Sequence, residues 1–543
     1  MVEATVQTRQ GWARGVELDG VVRFAGLPYA VAPDPSSPRF SWPVPPPAWS
    51  GVRDASGFGA VAPQSTTSPG YLPGEAAVQD EECRTVNVWA PLGPAERLPV
   101  LVFVHGGAFL AGAGSSRLYD GAALARHGAV VVTFNYRLGA LGFLAHEALR
   151  LPGGSCGNWG LADQLAALAW VGDHAAAFGG DPGNVTVFGE SAGAMSICDL
   201  LGTPAARGRF RRAVVQSGFA LARPLSTASA LTETLCDRLG VAPERSALAG
   251  VPLDALVEAQ QSLSTEIDEG LGMPFAPVVD GHLFARHPAD LVAAGGGAGP
   301  VDVLAGTNRD EFNFFTFVAS AARDVDAGGL EGFVGRYLRS AGLQTRVAPG
   351  EVTAAYVAAR SARGEPAGPG ALLDAFGTDF LFRIPLVRLL EAHGAAGGRC
   401  FAYRFDWASP FAGGRLGACH ALELPFVFGT VGDPLIGAFS GNGPAAVELS
   451  SAVREAWVAF AASGDPSTDR LGRWPAYEPS RRATMVLDTA PALVDDPGGA
   501  ERAFWAARLG RYGAGGPVEG AEPEGVAFLG SADRGDSSAT GAA

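Results

Sequence analysis

The chain has 543 residues and a formal net charge of −15, with 47% hydrophobic and 17% charged residues. This composition is typical of a globular protein, and the negative charge argues against nonspecific binding to nucleic acid. We find no apolar run of about 18 residues and no basic start followed by an apolar run. The sequence therefore predicts no membrane span, no secretory signal and a cytoplasmic location.

Apolar runs typical of buried strands recur along the chain, with helical patterns between several of them. Val21–Phe24 is expected to begin a short antiparallel meander. Six runs lack in–out alternation, which suits strands buried on both faces, and they are Pro99–His105, Ala129–Tyr136, Asn184–Gly189, Arg212–Ser217, Val301–Gly306 and Cys400–Trp407. Helical patterns cover Ala162–Ala177 and Ala192–Leu201. This interleaving predicts an α/β fold with a large, mostly parallel central sheet flanked by helices.

Two amphipathic stretches, residues 226–264 and 324–363, are expected to be helical cap insertions over the sheet and not separate domains. We therefore expect one domain over residues 1–512. The last stretch, residues 513–543, is rich in Gly, Ala, Ser and acidic residues. It has too few apolar side chains to offset the entropy of ordering, so we expect a disordered tail.

A G-x-S-x-G motif occupies residues 189–193, after an apolar run and before a helical pattern. A sharp strand–turn–helix of this kind exposes the central serine and requires small residues on both sides. The hydroxyl then stands at a helix N-terminus, where the dipole favours a developing oxyanion. Ser191 is thus the candidate nucleophile, and the alternative is a serine in an ordinary tight turn.

Glycines also follow an earlier predicted strand, in the segment His105–Phe109. Glycine allows backbone N–H groups to point into a cavity. We expect Gly106 to hold this turn and His105 to bond the loop backbone. The expected donors of an oxyanion hole are Gly107, Ala108 and Ala192.

We look for the base and the acid C-terminal to Ser191, because in sites with this G-x-S-x-G turn the three residues follow the chain order Ser, acid, His. His420 follows the carboxyl end of a predicted strand, where active-site groups gather, and it is the candidate base. Asp310 and Glu311 follow another predicted strand. A buried carboxylate at either position would fix the imidazole tautomer, and spacing alone does not separate the two.

Longer segments carry a family resemblance, among them residues 15–33, 178–194, 306–315 and 420–429. Together they resemble the type-B carboxylesterases, which include the cholinesterases and bacterial para-nitrobenzyl esterases. The resemblance implies an α/β-hydrolase fold, a Ser-Glu-His triad, and neither cofactor nor metal. It assigns the acid to Glu311. Glu190 and Ser217 match positions that support the triad, although Glu190 is alternatively a tolerated charged neighbour.

The sequence also departs from the family. Ala62 replaces the cysteine that pairs with Cys83 in secreted members, and we expect all six cysteines to be reduced. Phe312 and Ala421 replace glycines that follow the acid and the base. Residues 65–80 contain no tryptophan, so a cation–π site for a quaternary ammonium is poorly supported.

The predicted function is that of a serine carboxylesterase, which hydrolyses a small-molecule ester through an acyl-enzyme on Ser191. One alternative is the same site acting on amides, carbamates or lactones, and a remote one is a non-catalytic binding protein. The oligomeric state is not predicted. The expected apolar substrate pocket, for which core packing is the alternative, is formed by Phe109, Phe312, Phe314 and Phe315.

Overall fold

A computed structural model describes residues 3–34, 39–65, 78–93, 97–266, 273–318 and 325–509. The predicted tail lies outside the described residues, as does most of the segment without tryptophan. The expectation of one domain over residues 1–512 stays a prediction.

Fifteen strands form the described sheets. They are β1 (Glu3–Gln7), β2 (Trp12–Leu18), β3 (Val21–Pro28), β4 (Val52–Asp54), β5 (Thr85–Pro91), β6 (Leu98–Val104), β7 (Val130–Phe134), β8 (Gly180–Glu190), β9 (Arg212–Gln216), β10 (Arg223–Pro224), β11 (Val278–Val279), β12 (Asp302–Asn308), β13 (Cys400–Phe405), β14 (Ala483–Leu487) and β15 (Ala492–Asp495). The six buried strands expected from apolar runs are confirmed as β6, β7, β8, β9, β12 and β13, with ends shifted by a few residues.

One 13-stranded sheet dominates the fold, in the order β1-β2-β3-β5-β7-β6-β8-β9-β12-β13-β14-β15, with β4 beside β2. The strands from β7 to β14 in that order are parallel, and antiparallel pairs lie at both edges. The predicted N-terminal meander is therefore confirmed around β3. Because the carboxyl ends of parallel strands meet at one edge, the loops after β6, β8, β9, β12 and β13 are neighbours.

The absence of in–out alternation has a direct cause on β6. Val100, Val102 and Val104 belong to one hydrophobic cluster. Leu101 and Phe103 point the other way and belong to a second cluster. The sheet is thus covered on both faces, as expected for a parallel sheet between helices.

The helices that cover these faces and cap the sheet are α1 (Ala122–Arg126), α2 (Gly139–Phe143), α3 (Trp159–His174), α4 (Ala192–Gly202), α5 (Leu225–Leu239), α6 (Arg245–Ala249), α7 (Leu253–Glu266), α8 (Pro288–Ala293), α9 (Asn313–Val318), α10 (Ala327–Ser340), α11 (Pro349–Ala362), α12 (Pro369–Thr378), α13 (Ile384–Ala395), α14 (Phe411–Gly414), α15 (Leu424–Phe428), α16 (Pro434–Ser440), α17 (Pro444–Ser463) and α18 (Gly499–Leu509). The predicted cap segments contain α5 to α7 and α10 to α11.

All six cysteines are buried and unpaired. Cys83 lies in the core with Ala62 also buried, and burial raises the pKa of the Cys83 thiol to about 12. None of the described helices is both long and apolar enough to span a bilayer.

A buried ion pair joins α3 to the chain that leaves β7. Arg137 Nε lies 2.7 Å from Asp163 Oδ2, and Nη2 lies 2.8 Å from Oδ1. The Arg137 backbone N–H also donates to Asp163 Oδ2, at 3.0 Å. Both side chains are almost completely buried. If one partner is lost, water therefore cannot solvate the charge that remains.

We therefore expect Asp163→Asn to lower the free energy of unfolding by about 3–5 kcal/mol, because it leaves a buried guanidinium without its counter-charge. Asp173→Asn is the matched control on the same helix. Asp173 pairs with Arg9 at an exposed site, where such pairs contribute about 1 kcal/mol or less. Denaturant unfolding of the three proteins measures both effects, and equal losses would contradict the role assigned to burial.

Candidate active site

Ser191 lies between β8 and α4 in a backbone conformation that side chains seldom adopt. Its φ is 54° and its ψ is −124°. A Cβ at Gly193 would lie 2.0 Å from the Val104 carbonyl oxygen, and one at Gly189 would lie 2.8 Å from the same atom. The small residues of the motif are therefore required, because α4 packs directly on the end of β6. The turn leaves Ser191 only half-buried.

The loop after β6 lies against this serine. A Cβ at Gly106 would be 3.1 Å from Ser191 Cβ. Gly107 has a φ of +112°, and a Cβ there would lie 2.1 Å from the Ala111 carbonyl oxygen. Ala108 follows with a φ of 56°, in the left-handed region where glycine is the usual residue.

Three backbone donors lie around this loop and the elbow. Within the described part of the chain, the N–H groups of Gly107 and Ala108 make no hydrogen bond. Ala192 is the first residue of α4, so its N–H has no intrahelical acceptor. The structure thus places the three expected oxyanion donors on the two segments that meet at Ser191.

His420 and Glu311 contact each other directly. His420 Nδ1 lies 2.6 Å from Glu311 Oε2. The other carboxylate oxygen, Oε1, accepts hydrogen bonds from the Ser217 hydroxyl at 2.5 Å and from the Asn308 N–H at 2.6 Å. Glu311 has no exposed surface and His420 has almost none. Every oxygen of this buried carboxylate is therefore used, which fixes the orientation of the imidazole.

Asp310, the other candidate acid, faces away from the imidazole. Its Oδ2 accepts from the Ala418 N–H at 2.9 Å and from Arg309 Nη2 at 2.8 Å. The geometry thus separates two neighbouring carboxylates that spacing could not.

The second imidazole nitrogen faces Glu190. His420 Nε2 lies 3.0 Å from Glu190 Oε1, and Glu190 is buried. Among the described residues, the Ser191 hydroxyl makes no hydrogen bond to His420. Bonds of this kind are often long before substrate binds and tighten in the complex.

The charges around His420 shift its titration. Burial by itself lowers the pKa of His420, but the carboxylates of Glu190 and Glu311 outweigh it and raise the pKa to about 9. Burial also raises the pKa of Glu190, against the opposing effect of His420. The imidazolium is thus stabilised by two carboxylates on its two nitrogens.

His105 behaves differently, because burial lowers its pKa to about 4. Its Nδ1 lies 2.9 Å from the Gly106 carbonyl oxygen, and its ring stacks on Tyr136. The expectation that His105 bonds loop backbone is confirmed.

A polar network behind the site escaped the sequence analysis. Glu423 accepts hydrogen bonds from Gln216 Nε2 at 3.0 Å and from Asn308 Nδ2 at 2.7 Å. Burial, followed by the nearby Glu311, raises the pKa of Glu423. Gln216 and Asn308 are the last residues of β9 and β12, and a polar residue at that end of a buried strand is the signal that could have identified them.

The four phenylalanines of the expected pocket divide into two groups. Phe109 and Phe312 are buried in the core, and Phe109 packs edge-on against Phe143. Phe314 and Phe315 are half-buried, with ring centroids 6.5 Å and 5.2 Å from that of His420. Only the second pair has surface that a substrate could touch.

The described residues contain no cluster of three or more His, Cys, Asp or Glu side chains arranged to hold a metal ion. The groups gathered here are instead a hydroxyl, an imidazole, carboxylates and backbone N–H groups. That set suits acyl transfer.

Comparison with known proteins agrees with this chemistry. A family model described as the carboxylesterase family matches residues 2–505. The chain is 36% identical over 505 residues to the para-nitrobenzyl esterase of Bacillus subtilis (strain 168), covering 92% of this chain and 97% of that protein. It is also 36% identical over 484 residues to the fumonisin B1 esterase of Sphingopyxis macrogoltabida, covering 87% and 84%.

A solved structure gives the same result. A Geobacillus stearothermophilus carboxylesterase, crystallised at pH 6.2, is similar with a TM-score of 0.80 and 38% identity over 92% of this chain and 99% of that one. The chain therefore belongs to the carboxylesterase family, has its α/β-hydrolase fold and is a carboxylic ester hydrolase.

Proposed function

We propose that Ser191, His420 and Glu311 are the catalytic triad of this serine carboxylesterase. The observation that carries the proposal is the 2.6 Å contact between His420 Nδ1 and Glu311 Oε2, in a buried site beside the half-exposed elbow serine. With Nδ1 bound to a carboxylate, the neutral imidazole presents its lone pair on Nε2, which is the atom a general base requires.

In the first half-reaction, His420 takes the hydroxyl proton while Ser191 Oγ attacks the ester carbonyl carbon. The N–H groups of Gly107, Ala108 and Ala192 then bind the oxyanion of the tetrahedral intermediate, each donor contributing about 3–4 kcal/mol to lowering the barrier. The C–O bond breaks as His420 returns the proton to the departing alcohol. An acyl-enzyme on Ser191 remains.

In the second half-reaction, a water molecule replaces the alcohol. His420 takes a proton from the water as the water oxygen attacks the acyl carbon. The carboxylic acid product is released when the proton passes to Ser191 Oγ. Glu311 accepts the Nδ1 hydrogen bond and stabilises each imidazolium. Gly106 allows the loop to approach Ser191 closely, and Ser217 keeps the Glu311 carboxylate in place through its hydroxyl.

Phe314 and Phe315 form the apolar wall proposed for the substrate, since both are half-buried and their rings lie close to that of His420. This favours uncharged esters with apolar groups. We also propose a cytoplasmic location, which is supported by six buried, unpaired thiols.

Ser191→Ala should lower kcat by about 10⁶-fold, because it removes the hydroxyl that forms the acyl-enzyme. Hydrolysis of a panel of aryl and alkyl esters, with matched amides, carbamates and lactones, measures this loss. The wild type should cleave the esters fastest and should form an organophosphate adduct on Ser191. Ser463→Ala, an exposed serine at the end of α17, is the control and should match the wild type. Full turnover by Ser191→Ala would refute the nucleophile.

Glu311→Gln should lower kcat by about 10⁴-fold, because the amide cannot stabilise the imidazolium and favours the wrong tautomer. Asp310→Asn is the matched control one residue away, and its effect should be much smaller because Asp310 bonds Ala418 and Arg309. Steady-state kinetics of both variants decide the assignment. The reverse order of losses would transfer the role of acid to Asp310.

Glu190→Gln should shift the acid limb of the kcat/KM profile to lower pH by about one unit, because it removes a negative charge next to Nε2. The sign follows from the base: protonated His420 cannot accept the Ser191 proton, so activity falls as pH drops below its raised pKa. Removing the charge lowers that pKa. Rates measured from about pH 5 to about pH 10, a range that includes the ordinary pKa of histidine, give the midpoint of the acid limb. An unchanged midpoint would show that Glu190 does not affect the titration of His420.

A further inference from the structure

A π-helical turn, Asp379–Arg383, lies between α12 and α13. Pro385 stands in the first turn of α13. It has no N–H to donate to the carbonyl four residues earlier, and its ring would clash with that carbonyl in a regular α-helix. The wider turn relieves this clash. Single π-helical turns inside α-helices are frequent at functional sites.

This turn places Phe382 against the imidazole of His420. The two ring centroids are 4.9 Å apart with 43° between the planes. Phe315 stacks on Phe382 at 5.9 Å and 17°, and it lies 5.2 Å from His420. Phe382 is 1% exposed. Two aromatic rings therefore pack against the imidazole.

The charged groups that face His420 are three carboxylates from three segments. Glu190 ends β8, Glu311 follows β12, and Glu423 lies three residues beyond His420 itself. Glu190 and Glu311 lie at the two nitrogens, on the edge of the ring. The rings of Phe382, Phe315 and Phe314 lie 4.9, 5.2 and 6.5 Å from the ring of His420. The negative face of an aromatic ring attracts a nearby cation.

An ion pair between the buried Asp379 and the partly buried Arg383 fixes the turn. Arg383 Nε lies 2.6 Å from Asp379 Oδ1, and Nη2 lies 2.8 Å from Oδ2. Arg383 Nη1 also donates to the carbonyl oxygens of Pro497 at 3.1 Å and Gly498 at 3.2 Å. A largely buried pair with this many hydrogen-bond partners defines one arrangement of the chain even where its net stabilisation is small.

The same pair is tied to α18. The Tyr356 hydroxyl donates to Asp379 Oδ2 at 2.8 Å, and Trp505 Nε1 donates to the Tyr356 oxygen at 2.8 Å. Trp505 and Tyr356 are both fully buried. The segment from Pro497 to Trp505 thus supports a turn whose other side touches the proposed base.

We propose that Phe382 is a positioning residue for His420, and that the Asp379–Arg383 pair, anchored on α18, holds the turn that presents it. Phe382 keeps the imidazole in place and stabilises the imidazolium that forms as the Ser191 proton moves. This inference rests on the proposed role of His420 as base.

The test compares Phe382→Leu with Phe460→Leu. Phe460 lies on α17, is equally buried and packs on Phe401. Among the described residues it has no ring contact with His420, Tyr356 or Trp505. Phe382→Leu should lower kcat by about tenfold with little change in KM, because the interaction with the imidazolium is lost. It should also shift the acid limb of kcat/KM to lower pH, because leucine still covers the imidazole but lacks the ring face that favours its cationic form.

The control should lose unfolding free energy while keeping the wild-type kcat and acid limb. Equal kinetic effects of the two leucine variants, or an unshifted limb in Phe382→Leu, would overturn the role of Phe382. Asp379→Asn leaves both rings intact and tests the anchor separately. It should lower kcat and shift the limb in the same direction, and a wild-type limb would overturn the anchoring role.

Failure of the underlying function has a different signature. In that case the wild type would lack esterase activity that depends on Ser191 and His420. If only the role of Phe382 is wrong, that activity remains and does not depend on the ring at position 382.

Discussion

The site depends on one buried interaction, the contact of the Glu311 carboxylate with the His420 imidazole. A carboxylate with no exposed surface is stable only if its oxygens are satisfied, and here they accept from His420, Ser217 and Asn308. These groups come from the ends of β9 and β12 and from the loop after β13. The interaction therefore exists only when three parallel strands are in register.

The scaffold makes this convergence possible through close backbone approach. Gly193 allows α4 to pack on the end of β6, and Gly106 allows the loop after β6 to lie against Ser191. A side chain at either position would collide with neighbouring atoms. The cost is local strain, visible in the positive φ of Ser191 and Ala108. Packing on both faces of the sheet stabilises this strained backbone, so the geometry of the site depends on the core.

Much of this was predictable where a pattern is local. Continuous apolar runs identified β6 and β8, because a strand buried on both faces needs them. The choice between Asp310 and Glu311 was not predictable from spacing, since it depends on the direction in which two adjacent side chains leave a turn. Glu423 was missed because its partners, at the ends of β9 and β12, are distant in sequence. Phe382 was missed because its contact with His420 requires a π-helical turn that no short motif indicates.

The proposed site is tested most directly by a crystal structure of the enzyme after reaction with an organophosphate. We predict phosphorus bound to Ser191 Oγ, with its oxygen about 2.7–3.1 Å from the N–H groups of Gly107, Ala108 and Ala192. His420 should still be bound to Glu311. An adduct on another residue, or a phosphoryl oxygen directed away from these donors, would contradict the proposed site.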